Sequence, residues 1–576
     1  MMVALLIAGG GCLLATGSLP SSGEGAALAV AAVAAALPAT RRELQRILER
    51  IRNPAPRPAW LAAAGIAVLC SAVLLLLAWL HASYFMLSFH DEHAYMIQMR
   101  MLAEGRLWLP PYPPDVREFF DTIYVLVEPK YAPIYFPGTA LLYVPTVWLH
   151  LPFWVLPLAV AGASAGLLYR LVTELVDGVA GALSVPLLVS AASYRRNALL
   201  LLSQMPVLLL VLLMLLAWLR WRRRRAVRWA AAVGALAGWA VITRPVDAAC
   251  YAVPVAAAML LGLRGAGRRL WIKTLTVVTL AAAPFLTLQV VQNVGVAGSW
   301  SRFPSDLYVA RTFPAPMMGF HQIDWSKVPT PSLYQKRLLN VTWVWPKYAR
   351  HQRTRVIEEW REQRLPTTLT MTLPSQLLLV LLPPAVFVLD RRRLVVVATA
   401  VLFLSFYTFY VFFLKHYLVV ILPAVVLMLV TGIEALERTW PGQRAVVSTL
   451  AATAVTGLSV VALGGTNPHY YYRQLAAANH AVASLPAGER AVVLFRFRAG
   501  VCAVDQEPVY NTETAWPDDA RVVRAHDLGE RENTKLFRYY ARHQPDRVFY
   551  LFDRGEARLY RLGTAEELAA LYPDAS

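Results

Sequence analysis

The sequence predicts an all-α polytopic membrane bundle with a small α/β domain outside the membrane at its C-terminal end. Three observations predict it. Apolar runs of about 18 or more residues recur along the chain, the length that crosses a bilayer as a helix. The 576 residues are 57% hydrophobic and only 16% charged, with mean hydropathy +0.47, more apolar surface than a soluble chain of this length needs. Past Leu463 the pattern changes to short β-type runs, Ala491 to Phe497 and Arg547 to Phe552, set among polar and helical segments. That tail, about 110 residues, is long enough for a small core of its own.

Charge and cysteine content narrow the class further. A net charge of +19 would suggest nucleic acid in a soluble chain, but here much of the arginine lies in short clusters between apolar runs. Such clusters set topology and meet anionic lipid, so no nucleic-acid partner is expected. The four cysteines have no metal-ligand spacing and make no disulfide framework.

Taken in order, residues 1–58 hold two apolar pieces and a basic segment. The first piece, MMVALLIAGGGCLLATG, lacks the basic start of a secretory signal. The second, Ala26 to Leu37, is short for a span, and the two form either a hairpin or an anchor of little consequence. Arg41 to Pro58 places Leu44, Ile47, Leu48 and Ile51 at helical spacing among arginines. It reads as an amphipathic helix on the cytoplasmic membrane surface, closed off by prolines. Residues 59–463 form the membrane domain, with external loops at 82–137 and 293–372, and residues 464–576 form the extracytoplasmic α/β domain.

The arginine clusters orient the spans. The basic segment before Trp60 places the start of the Trp60–Leu80 run inside, and therefore Asp91 and Glu92 outside. The clusters Arg220 to Arg228, Arg264 to Lys273 and Arg391 to Arg393 are expected on the cytoplasmic side. The runs Thr274–Val291 and Leu373–Leu389 make the stretch between them external. Between Asp91 and Arg220 four apolar pieces occur, near Gly138–Leu149, Phe153–Leu168, Gly181–Ala192 and Met205–Leu219. Four crossings would put the Arg220 cluster on the wrong side. One piece must therefore be re-entrant or broken, and the total is roughly 11 to 13 crossings.

The stretch from Ser88 to Tyr143 carries the chemistry. At its head the adjacent carboxylates Asp91 and Glu92 stand at the mouth of a span, flanked by His90 and His93. Such a pair is costly there unless it faces water or a partner, which makes it a functional site by default. Capping an interfacial helix is the competing role. After the pair comes AYMIQMRMLAEGRLWLP and then YAPIYFPGTALLYVP. Further on, ALAGWAVITRPVDA (Ala235 to Ala248) ends a membrane segment in Thr-Arg-Pro, and HYLVVILPAVVLML (His416 to Leu429) is a late proline-bearing span.

In order and spacing these elements resemble the GT-C superfamily of polytopic glycosyltransferases, in particular bacterial relatives of the protein O-mannosyltransferases and of the lipid A aminoarabinose transferase. The resemblance covers Trp60 to about Leu463. It implies transfer of a sugar from a polyprenyl-phosphate-linked donor to an extracytoplasmic acceptor (lipid, glycan or protein), at the outer face of a bacterial cytoplasmic membrane. An inverting transfer needs a carboxylate to deprotonate or orient the acceptor, and cations to stabilise the phosphate as the glycosidic bond breaks. The resemblance implies Asp91 as the acceptor-side base, with Glu92 beside it. It implies Lys130, Arg244, Lys415 and His416 as donor phosphate-binding residues, His416 standing where relatives often have arginine. His321, Tyr131 and Tyr135 are candidate acceptor or loop residues. No metal ligand set is assigned; some members need a divalent cation and others none, so a divalent cation remains an option for cofactor. A transporter or flippase of a lipid-linked sugar is the alternative reading, disfavoured because no internal hydropathy repeat is visible.

Overall fold

The computed structural model describes residues 20–80, 85–464 and 472–572. The first apolar piece, Cys12, Tyr470 and Tyr471 lie outside the described residues. The chain divides into two compact units. The first is Met1–Tyr84, Phe153–Leu286 and Thr354–Pro468; the second is Phe85–Pro152, Thr287–Arg353 and His469–Ser576.

The first unit is a bundle of membrane helices. Among the described residues seven helices are long and apolar enough to cross a bilayer, or nine if each of two bent pairs is one span. The shorter apolar helices Gly178–Ser190 and Val227–Val241 and the arginine-led Arg391–Thr408 are further candidates. Only with these is the expected count of 11 to 13 reached. Both bent pairs turn by 92°. One turns at Leu37, where Pro38 begins the amphipathic helix Pro38–Arg52. The other turns at 373–375, where Pro374 cannot donate an N–H to continue the helical ladder.

Three of the basic segments meet at one end of this unit because each finds a carboxylate there. Arg52 pairs with Asp177 at 2.6 Å and with Glu437 at 3.4 Å. Arg393 pairs with Glu434 at 2.6 Å and donates to the Leu175 carbonyl. Arg220 and Arg170 both bond Glu174. Val155–Leu175 therefore ends at the arginine end, and Gly178–Ser190 leaves from it, with Gly178 packed on the Ile51 carbonyl. Gln204–Arg224 returns to it. The piece at Gly138–Leu149 breaks into helices of six and four residues, Gly138–Tyr143 and Pro145–Trp148, too short to cross. With the 13-residue Gly178–Ser190 counted as a crossing, three remain, the odd number that the charge pattern requires.

The second apolar piece has a definite place. It is the helix Ser22–Ala36, not a loose anchor: Gly23 and Ala27 lie against Val461 and Gly457 of Arg444–Gly464, and Glu24 accepts a 2.5 Å hydrogen bond from Ser375. Glycines allow equally close packing elsewhere. A Cβ added at Gly162 or Gly166 would lie 2.3 Å from the carbonyl oxygen of Ala67 or Ala63. One helix thus meets Pro56–Leu80 across a Gly-xxx-Gly step.

The second unit holds the sheets. A two-stranded antiparallel ribbon pairs β1 (Val125–Leu126) with β2 (Ala132–Pro133). The C-terminal sheet runs β4-β3-β5-β6, where β3 is Ala491–Arg496, β4 Val522–His526, β5 Val548–Asp553 and β6 Arg558–Thr564. β3 is parallel to β4 and β5, and β6 is an antiparallel edge. The two strands legible in the sequence, β3 and β5, are the central ones, buried on both faces and so continuously apolar. β4 and β6 are interrupted by arginine or histidine and escape that signal. Arg521 and Arg524 donate to backbone carbonyls of the unit itself at Pro486 and Pro508.

The sheet does not close its core alone. Tyr112, Val116, Phe119 and Phe120 pack with Val492, Val523, Leu536 and Phe549 in one buried cluster. The Asp518 carboxylate accepts from Tyr112, Tyr539 and Tyr540 at 2.9, 2.7 and 2.5 Å.

Two outcomes follow from this packing. Gly166→Val should lower the stability of the purified protein by about 1–3 kcal/mol through overpacking, read as a lower midpoint in detergent thermal denaturation. A chain ending at Gly464 should leave the 112–120 segment without its core, read as rapid proteolysis within 85–152 that the full chain resists.

Candidate active site

The helix that carries the acidic pair spans His90–Ala103. Its N-cap, Phe89, offers no side-chain oxygen, and the N–H groups leading into the helix need a carboxylate at the third helical position as acceptor. Glu92 supplies it: its carboxylate reaches back to the backbone N–H groups of Ser88 at 3.0 Å and Phe89 at 3.1 Å. Glu92 is 0% exposed. Of the two expected catalytic carboxylates, Glu92 thus has the geometry of a cap. Asp91 is partly exposed, and its Oδ1 accepts a 2.5 Å hydrogen bond from the Tyr135 hydroxyl. The Tyr135 ring stacks on Tyr95 at 4.5 Å and meets Tyr124 at 5.8 Å. Tyr124 holds φ of 65°, a conformation that a bulky residue adopts only when its surroundings impose it.

The other expected residues of this unit divide. Tyr131 is 2% exposed and meets Tyr112 and Trp516 edge-on, so it is a core residue rather than an acceptor contact. His321 bonds the Met318 carbonyl at 2.7 Å and closes its own turn. Lys130 is partly exposed in the turn between β1 and β2 and has no ion pair among the described residues. A residue that sequence reading passed over, Tyr510, approaches the helix from the C-terminal segment. Its hydroxyl lies 2.9 Å from His90 Nδ1 and donates to the Ile123 carbonyl at 3.1 Å. Its ring stacks on His93 at 4.4 Å, the planes 7° apart. Burial pushes His90 down to about 4, with Glu507 opposing and Arg554 reinforcing the shift. Burial, His90 and Arg524 push His93 well below the usual histidine range. Both imidazoles are therefore neutral at pH 7.

The remaining cations lie in the first unit. Arg244 is the N-cap of Pro245–Leu263, and it does not merely snorkel to an interface. It pairs with Asp247, donates to Ser203 at 3.1 Å and to Tyr407 at 2.9 Å, and lies 4.5 Å above the Tyr417 ring. Asp247 is 0% exposed and also accepts from Tyr407 at 2.8 Å. Lys415 is exposed at the start of the 3-10 turn Lys415–Ile421. His416 follows, its carbonyl accepting from Asn197 at 3.1 Å. Beside Asn197 stands Arg196, whose buried Nε has no hydrogen-bond partner. Asp247 was legible as the i+3 partner of Arg244 on a helix start. Tyr407, Tyr510 and Arg196 gave no local signal. Among the described residues no group of three or more His, Cys, Asp or Glu is placed to hold a metal ion.

No protein-family model and no curated protein matches this chain. Solved structures similar to it include ArnT from Cupriavidus metallidurans in the apo state, 16% identical, covering 85% of this chain and 93% of that one with TM-score 0.45. The same protein bound to undecaprenyl phosphate is 15% identical over 84% and 93%, with TM-score 0.46. The oligosaccharyltransferase of Archaeoglobus fulgidus in its apo form is 11% identical over 74% and 58%, with TM-score 0.36.

The buried histidines make stability depend on pH with a definite sign. Their folded pKa values lie below the unfolded value of about 6.5, so the unfolded chain binds more protons as the pH falls. They cost nothing above pH 6.5; the cost grows below it and, for His90, levels off near pH 4. Thermal midpoints measured from pH 7 to 4 should fall. His90→Gln with His93→Gln should flatten that slope.

Proposed function

We propose that this protein is a membrane glycosyltransferase of the GT-C type, moving a sugar from a polyprenyl-phosphate-linked donor to an acceptor, with Asp91 as the acceptor-side base. The observation that carries the reading is the division of labour in the acidic pair. Glu92 is sealed against the helix start while Asp91, partly exposed, is held by the Tyr135 hydroxyl. A carboxylate held by a tyrosine hydroxyl and still reached by solvent suits proton acceptance from a hydroxyl nucleophile.

In the proposed step the acceptor oxygen bonds to the anomeric carbon as its proton passes to Asp91. The bond from that carbon to the phosphate oxygen breaks, and the polyprenyl phosphate leaves with the electron pair. Cations offset the charge that develops there. Arg196 suits this role best, because its buried Nε is unpartnered, whereas Arg244 is already neutralised by Asp247 and serves as a second, pre-ordered donor. Lys415 and His416 belong to the same unit, the His416 carbonyl bonded by Asn197 beside Arg196, and Lys130 is a further candidate. The arginine end of the bundle is read as cytoplasmic and the reaction as extracytoplasmic, in a bacterial inner membrane. The sugar, hexose or pentose, and the acceptor follow from assay.

Purified protein in lipid, offered a panel of radiolabelled polyprenyl-phosphate monosaccharides, should transfer label to lipid, glycan or protein acceptors. Asp91→Asn should abolish transfer while leaving the thermal midpoint near that of the parent. Arg196→Ala should raise the donor KM on the order of tenfold to a hundredfold, the loss of one charge-assisted contact. Full turnover by Asp91→Asn would overturn the assignment.

A further inference from the structure

Tyr135 fixes Asp91, and Tyr135 is itself held at three points along one helix face. Asp91, Tyr95 and Gln98 stand at i, i+4 and i+7 of His90–Ala103 and so share a stripe. Asp91 takes the Tyr135 hydroxyl, Tyr95 takes its ring, and Gln98 Nε2 donates to its backbone carbonyl at 2.8 Å. A second carboxamide reaches the same carbonyl: Gln292 Nε2 at 3.2 Å, from the last turns of Arg268–Ala297. Both acceptor positions of that oxygen are filled.

The second amide is anchored in turn. Gln289 Nε2 donates to Gln292 Oε1 at 3.1 Å and to Asn293 Oδ1 at 2.8 Å, and Asn293 Nδ2 donates to the Trp300 carbonyl at 2.9 Å. Gln98 is 1% exposed, Gln292 0% and Asn293 2%, while Trp300 is 71% exposed. No bulk water reaches these amides to replace a lost bond. Proton transfer tolerates little error in the position of the base.

We propose that Gln98 and Gln292 are positioning residues that set the Tyr135 peptide, and through its hydroxyl the orientation of the Asp91 carboxylate. Neither touches a reacting atom. The relay of amides ties that orientation to the loop at Trp300. The catalytic part of this inference rests on the glycosyltransferase reading; the clamp itself does not.

The test uses the full chain with 3-fluorotyrosine at position 135. The 19F resonance reports the hydroxyl's hydrogen bond, and Asp91→Asn supplies the reference for its disruption. Gln98→Met and Gln292→Met should each move the resonance part of the way, and the double variant further than either. With whichever donor the parent protein uses, the double variant should lose on the order of tenfold in kcat, as one or two lost hydrogen bonds allow, with donor KM within about twofold. A folded double variant with an unmoved resonance overturns the proposal, as does an effect confined to KM. Gln98→Glu and Gln292→Glu, which keep length but lose the donor, give the same decision should the methionine pair fold poorly. If the parent transfers no sugar from any donor, the functional reading fails while the resonance still decides the clamp.

Discussion

A charge placed in a low-dielectric interior must be met by an opposite charge or by several hydrogen bonds, because the cost of leaving it alone exceeds the stability of most folds. That constraint arranges the first unit. Arg52, Arg220 and Arg393 belong to separate stretches of sequence, yet each ends against a carboxylate or carbonyl near the end of Val155–Leu175. The helices that carry them are thereby set in register at one end of the bundle. Arg364, 0% exposed, follows the same rule, bonding Glu359 at 2.6 Å and the Tyr410 carbonyl at 3.1 Å. Breaking one partner from such a pair costs more than the pair contributes, since the survivor is left buried. These arginines therefore serve two ends: their positive charge orients the chain, and their pairing fixes helix ends.

The same constraint shapes the second unit, where neutral groups also serve as partners. Asp518 is almost sealed and is satisfied by three phenols from two separated segments. Lys336 and Asp121 form a 2.5 Å pair, each from a different segment. Burial opposes the Lys336 charge, but Asp121 and Tyr308 more than offset it and hold its pKa above the usual lysine value. Amides do for Tyr135 what phenols do for Asp518. Each device binds stretches of chain that lie far apart in sequence, so the neighbourhood of Asp91 is a product of long-range closure and not of the Ser88–Tyr143 stretch alone.

The sequence by itself determined the class, the helical membrane character, the clustered arginines, the position of Asp91 and Glu92, and the two central strands of the C-terminal sheet. All of these are local or compositional signals: an apolar run, a charge run, a carboxylate pair at a span mouth, a continuous apolar strand. Tertiary structure alone broke Gly138–Leu149 into two short helices, and the partners of Glu174 and Asp177 set where Val155–Leu175 ends and Gly178–Ser190 begins. It alone divided the acidic pair into a cap and a partly exposed carboxylate, moved Tyr131 into the core, neutralised Arg244 with Asp247, and brought Tyr510 and Gln292 to the helix that carries Asp91. Those outcomes depend on which distant groups meet, and the physical terms that select them, burial and hydrogen-bond satisfaction, take their values only once the chain has closed.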